Sequence, residues 1–426
     1  MSLHSYSRVW VQVVWATLER RPFFTKAAAA KISAHLSRYA AEKEIYMKIV
    51  FALAICVTGC STPRGVKFRA NQSNTGTLSA TNIVSEGKQQ WEFNPEVGGV
   101  GGSAAIDSVG NVCVPFGARL YLVDPSGRPK CYFEAGGRIF SSPSLEGAQR
   151  AVFGSDDGYF YTINTLRCEQ FSAFKAAGQI KSSPVVVSDK AFFASFDGTV
   201  YSVDLGAAPQ PVWQYSVGAP IRSSPAYTPK ARLIVIGSDN HKLYAFDRDK
   251  GGSGPKWVFT ANAKIPGPPS VARFRDHEVV VFGVDTESSA IPVRVYAVLD
   301  TSSELWHYDV SAGIAVQGVA ITPDGKVFFG TASSEVVCLD LISGQLIWKV
   351  AVAGGEVVLA APAVSTNGIV YIGGSNRTFY AIDAASGAIK WKFPTIGVIP
   401  VEARPAIARD GTVYIGDMDG HFYAIR

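Results

Sequence analysis

The chain has 426 residues, with 40 Lys+Arg against 35 Asp+Glu and a formal net charge of +5. Eight of the basic and three of the acidic residues fall within 1–59, so the stretch from Cys60 onward carries 32 of each and is neutral. The basic balance is therefore confined to the leader and gives no ground for nucleic-acid binding by the main body, which has no basic run.

The first 46 residues hold two candidate elements. SYSRVWVQVVWATLERRPFF (5–24) alternates like a strand and breaks at Pro22, and KAAAAKISAHLSRYAAEKE (26–44) has helical propensity and spacing. This wording resembles the N-terminus of IS200-like (REP-associated) tyrosine transposases. Such enzymes need a His-hydrophobic-His metal pair and a later catalytic Tyr. The six His here are His4, His35, His241, His277, His307 and His421, and no two are separated by one residue. The resemblance stops before any catalytic motif, so residues 1–46 read as a transposase-like remnant ahead of a second start at Met47.

Residues 47–59 follow the plan of a signal peptide. Lys48 precedes an apolar or small run of 11 residues, Ile49 to Gly59. A membrane span needs about 20 residues, whereas a signal core needs roughly 7–15. Val57-Thr58-Gly59-Cys60 resembles the lipobox of bacterial lipoproteins, with Val57 standing where Leu is commonest. The resemblance implies cleavage before Cys60 and lipid attachment to its thiol; the other reading is a short buried helix ending in a core Cys. Residues 60–86, rich in Ser, Thr, Asn and Gly, read as a lipidated tether and docking segment that adds no strand to the repeats beyond it.

From Gly87 to Arg426 the chain repeats itself. Eight aromatic-rich strands recur: LYLVD (120–124), FYTIN (160–164), VYSVD (200–204), LYAFD (243–247), VYAVLD (295–300), VVCLD (336–340), FYAID (379–383) and FYAIR (422–426). Asp-Gly, Asp-Asn and Ser-Asn pairs before them supply hairpin turns. Small runs (SSP at 141–143, 182–184 and 223–225, AAP at 360–362, RP at 404–405) suit a crowded innermost strand, and Trp91, Trp213, Trp257, Trp306, Trp348 and Trp391 mark an outer one. Four short strands per unit of roughly 40 residues predict an all-β fold, an eight-bladed β-propeller. GKQQWEF (87–93) matches GAIKWKF (387–393) while the last unit lacks a Trp strand, so the N-terminal strand is expected to complete the C-terminal blade. The repeat resembles that of pyrroloquinoline-quinone-type (PQQ-like) propellers, which implies that each Trp docks on the neighbouring blade. Cys131 and the Phe171-Ser172 stretch fall where two of those Trp would be.

The quinone-dependent dehydrogenases of that fold imply an adjacent Cys-Cys pair, a Ca²⁺ held by Glu and Asn, and a catalytic Asp in long insertions. The cysteines here are Cys56, Cys60, Cys113, Cys131, Cys168 and Cys338, with no adjacent pair. No turn has calcium-loop spacing; DMDG (417–420) comes nearest and reads as a hairpin turn. No nucleophile elbow, phosphate loop or zinc spacing appears, so no catalytic, metal or cofactor residues are assigned. Cys131 and Cys168 are candidates for a disulfide, while Cys113 and Cys338 lie within strand patterns as buried thiols. Lys181 and Arg222 hold the same place before SSP in neighbouring blades. Either they present positive charge at the channel mouth to an anionic ligand or acidic partner loop, or they are solvated charges at strand ends. The chain is similar to the BamB-type propeller lipoproteins of the outer-membrane assembly machinery. That resemblance implies a monomeric, non-enzymatic scaffold binding protein partners, anchored by lipid at the periplasmic face of the outer membrane. The alternative is a PQQ-binding, oxidoreductase-related propeller.

Overall fold

The computed structural model describes residues 71–78, 85–147, 149–206, 209–286, 288, 290–310, 315–352, 361–396 and 404–426. The transposase-like stretch, the signal segment and Cys60 lie outside the described residues.

Among these residues the strands form eight sheets, antiparallel throughout except for one short added strand. Residues 105–134, 144–175, 185–216, 226–260, 270–310, 320–351 and 363–394 each supply four strands in sequence order, which we number as blades 1 to 7. Blade 8 takes three strands from 406–425 and its outermost from Gln89–Phe93, which pairs antiparallel with Phe422–Ile425. The all-β, eight-bladed propeller closed by an N-terminal strand is thus the architecture the repeats predict. Within each blade the two middle strands are buried along most of their length and the outer strand alternates with solvent. Apolar side chains of the middle strands fill the wedges between blades, where hydrophobic burial stabilises the ring without a single central core.

Every outer strand carries a register shift at the same place, for example between Ser202 and Val203 in blade 3 and between Ala381 and Ile382 in blade 7. The extra residue re-aims the side chain beside it toward the next blade. At five seams that side chain is Trp. Trp91, Trp213, Trp306, Trp348 and Trp391 donate from Nε1 to the carbonyls of Pro125, Arg248, Leu341, Ala384 and Ser85, at 2.7–3.2 Å. Beneath each ring lies a glycine of the next blade: Gly127, Gly251, Gly344, Gly387 or Gly87. A Cβ at any of them would stand within 2.9 Å of the indole, so only glycine admits the ring. The dock for Trp391 is built by Ser85 and Gly87, just ahead of the closing strand, which brings the two ends of the propeller together a second time.

Three seams are built differently. Trp257 packs against the apolar cluster of blade 5, but its Nε1 has no partner among the described residues, and the facing turn (Asp300-Thr301-Ser302-Ser303) has no glycine. Cys131 occupies the Trp place of blade 1, opposite Leu122, and forms a disulfide with Cys168. Cys168 stands four residues after Asn164, as Gly387 stands four after Asp383, with φ of 53° against 75°. A covalent bond therefore replaces the indole–glycine contact between blades 1 and 2. Between blades 2 and 3, Ser172 holds the Trp place, and Arg150 Nη1 donates at 2.7 Å to the carbonyl of Leu205. That carbonyl follows Asp204, the same acceptor position the indoles use. Cys113 and Cys338 are free and buried, and burial pushes both thiols up to about 12.

The segment ahead of the closing strand corrects one expectation. Thr77–Leu78 pairs parallel with Val364–Ser365 and gives blade 7 a fifth strand, so the stretch does add a strand. Residues 71–78 also run across the inner strands of successive blades. The carbonyls of Gln72, Ser73, Thr75 and Gly76 accept the N–H groups of Tyr227, Val271, Ile321 and Val364 in blades 4 to 7, at 2.7–2.8 Å. Each donor is the second residue of its inner strand. The side chain of Gln72 reaches the Val186 carbonyl of blade 3, and buried Asn74 donates to the carbonyls of Pro225 and Pro269. Inner strands are edge strands whose unpaired N–H groups face the channel. The Asn/Ser/Thr-rich segment satisfies four of them at once.

Candidate functional site

The channel mouth is built from the residues just ahead of each inner strand. In SSP the first Ser turns back into its own blade: Ser182 Oγ accepts the Ala194 N–H and Ser223 Oγ the Gly237 N–H, while the Ser223 hydroxyl also donates to the Gly267 carbonyl ahead of blade 5. The second Ser faces around the ring. Ser142 Oγ accepts the N–H of Ser103 at 2.8 Å, Ser183 Oγ that of Ser142 at 2.9 Å, and Ser224 Oγ that of Ser183 at 2.9 Å. This relay ties blades 1 to 4 at the inner radius. Because each oxygen accepts, the hydroxyl proton remains to be donated elsewhere. Proline follows, with its φ pre-set and no N–H to satisfy.

Inside the ring lies a cavity of about 200 Å³, lined among others by Ser142, Ser183, Ser224, Lys181, Arg222 and Arg404. The inner strands run away from it along the channel, and residues 71–78 cross on that far side. Lys181 Nζ lies 5.2 Å from the ring centroid of Phe140 and 5.5 Å from that of Phe196, two aromatic faces that attract a cation. Arg222 Nη2 is 2.8 Å from Asp239 Oδ2, a surface-side ion pair. Burial pushes the Arg404 guanidinium down to about 10. Burial also holds Asp156 above the usual carboxylate range, opposed by the charges of Lys181 and Arg138. Lys181 and Arg222, singled out in the sequence, thus line one cavity together. Arg404 and Phe140 were not singled out. Arg404 stands where the second Ser stands in other blades, and the RP pair at 404–405 is its only trace in the repeat pattern.

The docking tryptophans lie on the outer strands, away from this cavity. So does the disulfide, which caps no part of the mouth. Among the described residues no group of three or more His, Cys, Asp or Glu is placed to hold a metal ion. The residues do not fit a quinone cofactor of the PQQ type: no adjacent cysteine pair exists to cover it. The cavity also falls below the roughly 300–1,000 Å³ that ligands of that size need. The arrangement can hold an anionic group electrostatically.

The sequence model of the family described as outer membrane protein assembly factor BamB matches residues 293–426. A curated outer membrane protein assembly factor BamB from Burkholderia pseudomallei (strain K96243) is 28% identical over 189 residues, covering 41% of this chain and 43% of that protein. The chain thus spans less than half the length of the curated relative it matches. Among solved structures, BamB from Moraxella catarrhalis aligns with a TM-score of 0.61 at 14% identity, over 80% of this chain and 99% of its own. A quinohemoprotein alcohol dehydrogenase from Comamonas testosteroni aligns at 0.70 with 12% identity, over 92% and 84%. A europium-containing methanol dehydrogenase aligns at 0.68 with 12% identity, over 83% and 89%. At such identities the structural likenesses speak for the fold alone. Residues 293–426 thus resemble that family, and the fold is that of an eight-bladed β-propeller.

Proposed function

We propose that this propeller is a non-enzymatic, monomeric scaffold that binds protein partners of the outer-membrane assembly machinery, held by lipid on Cys60 at the periplasmic face of the outer membrane. The observation that carries the reading is the match of residues 293–426 to the family described as outer membrane protein assembly factor BamB. The lipobox-like Val57-Thr58-Gly59-Cys60 supports the anchor, since two or three acyl chains at about 0.8 kcal/mol per buried CH₂ hold a protein stably on a bilayer. The Cys131–Cys168 disulfide suits an oxidising compartment such as the periplasm.

The test is affinity capture of the tagged full chain from gently solubilised membranes, with mass spectrometry of what accompanies it. Co-purification of a barrel-inserting outer-membrane subunit, lost in the soluble fraction of a Cys60→Ala variant, is the expected result. Capture of no assembly component, or purified protein that carries the absorbance of a bound quinone, would overturn the scaffold reading.

A further inference from the structure

The mouth cavity gathers donors whose protons are unassigned. The oxygens of Ser142, Ser183 and Ser224 each accept a backbone N–H, and among the described residues their own protons have no acceptor. Those three side chains are at most 4% exposed, so bulk water reaches them only through the cavity. Lys181 lies over two aromatic faces and makes no ion pair among the described residues, although the Asp156 carboxylate feels its charge. Arg222 and Arg404 add charge to the same walls, with Asp239 offsetting part of the first. The far side is crossed by residues 71–78 at the inner strands of blades 4 to 7, which narrows the channel there and gives the cavity the form of a cup.

A cup of about 200 Å³ with converging hydroxyls and an ammonium group matches a small, compact anion. We propose that this cavity is a binding site for a free oxyanion or short polycarboxylate, held by Lys181 and by the hydroxyls of Ser142, Ser183 and Ser224, within the positive field of Arg222 and Arg404. The inference is independent of the scaffold reading, since it rests on the cup and not on any partner. Hydrogen bonds from charged and neutral donors to an anion gain strength where water is largely excluded, because the effective dielectric falls. Neutral sugars or nucleosides accept hydrogen bonds from an ammonium group but bring no charge to balance it.

Isothermal titration of the purified full chain with citrate and with inorganic phosphate, at constant ionic strength balanced by chloride, tests the proposal. Saturable one-site binding of at least one probe is expected. Lys181→Met should weaken it about tenfold or more, and Ser183→Ala by several-fold. Lys256→Met, an exposed cation on the outer strand of blade 4, should leave it unchanged. Unfolding midpoints without ligand check that each variant folds; should Lys181→Met fail to, Lys181→Gln takes its place. No saturable binding of either probe overturns the proposal, as does equal affinity in the Lys181 and Ser183 variants, or equal loss in Lys256→Met. Sedimentation with phosphatidylglycerol vesicles separates the remaining source of the same chemistry. Binding to vesicles without any response to the free anions would assign the cup to a lipid headgroup and sink the claim.

Discussion

Cutting the Cys131–Cys168 bond should open the ring at the seam between blades 1 and 2. The bond joins residues 37 apart in sequence, and chain-entropy accounting for a loop of that size gives about 4 kcal/mol. A buried Trp reduced to Ala costs about 3–5 kcal/mol, so the covalent staple and the indole docks at other seams are of the same scale. Either is a large share of the roughly 5–15 kcal/mol that separates folded from unfolded domains. Cys131→Ala with Cys168→Ala should therefore lower the urea midpoint followed by Trp fluorescence, and thiol reductant should do the same to the native protein. Cys113 and Cys338 are already free thiols, so the reductant acts on this bond alone among the described cysteines. A rebuilt dock provides the positive arm. Elsewhere the Trp sits opposite a small residue, such as Ser202, Ala297, Cys338 or Ala381, whereas Cys131 faces Leu122. Leu122→Ala with Cys131→Trp and Cys168→Gly should recover part of the loss and make stability indifferent to reductant. Identical midpoints for the oxidised and reduced native protein would refute the equivalence of staple and dock.

Other consequences follow from the same contacts. Trp91→Ala and Trp391→Ala should each cost about 3–5 kcal/mol, and Trp257→Ala less, because its Nε1 makes no hydrogen bond among the described residues; equal losses in all three would contradict the docking account. Gly87→Ala places a methyl 2.8 Å from the Trp391 ring at a φ of +81°, so a loss of about 1–3 kcal/mol is expected in the same denaturation assay, and a silent Gly87→Ala would argue against closure at this point. Asn74→Ala removes a buried donor to two carbonyls and should cost about 1–3 kcal/mol, while deleting 71–78 should cost more; unchanged midpoints would mean that the segment does not seat in the channel. Stability should also decline as pH drops from about 4 toward 2. The turn carboxylates of Asp124, Asp340 and Asp383 accept hydrogen bonds from neighbouring serines and backbone N–H groups, which holds all three below the usual carboxylate range, Asp383 at about 2. Native pKa values below the unfolded ones add stability above about pH 4 that is withdrawn as the native carboxylates protonate; a flat midpoint from pH 5 to pH 2 would remove these groups from the account.

Blade number and strand order were legible because they rest on an aromatic strand repeated eight times, and closure because GKQQWEF (87–93) matches GAIKWKF (387–393) while the last unit lacks its Trp strand. A single Asp-Gly pair says little, but the same pair at a fixed distance before an aromatic strand specifies a hairpin at each recurrence. The seams were legible only where the repeat is intact. The repeat marked Trp213 but not the Gly251 beneath it, and Arg150 lies on a second strand and reaches Leu205 across 55 residues, with nothing local to mark it. Cys131 showed as a gap in the Trp series and Cys168 as its candidate disulfide partner, but the place of Cys168 at the glycine position shows only once the blades are superposed. Residues 71–78 were misread for a physical reason. Asn, Ser and Thr are common in solvated tethers because they satisfy their own backbone, and the same property suits a strand that must satisfy someone else's. Lys181 and Arg222 shared a position in the repeat and so appeared together; Arg404 replaced a serine and left no charge pattern to find.

The inner radius explains why two unlike devices coexist in one ring. Eight edge strands meet at the channel, and each leaves backbone N–H groups that cost free energy if buried without acceptors. Near the mouth, in blades 1 to 4, side chains solve the problem: three serine oxygens take the N–H groups of Ser103, Ser142 and Ser183 from the neighbouring blade. Deeper in the channel, in blades 4 to 7, main chain solves it, through four carbonyls of residues 72–76. The relay needs Ser at the second place of SSP, and the blades that lack it (Pro268 in blade 5, Ala361 in blade 7) are among those the inserted segment binds. A serine relay leaves its protons facing the cavity, whereas a main-chain plug leaves none. The donors therefore gather on the side of blades 1 to 4, where Lys181 and Arg222 also stand, and an anion entering the mouth should contact that wall of the cup first.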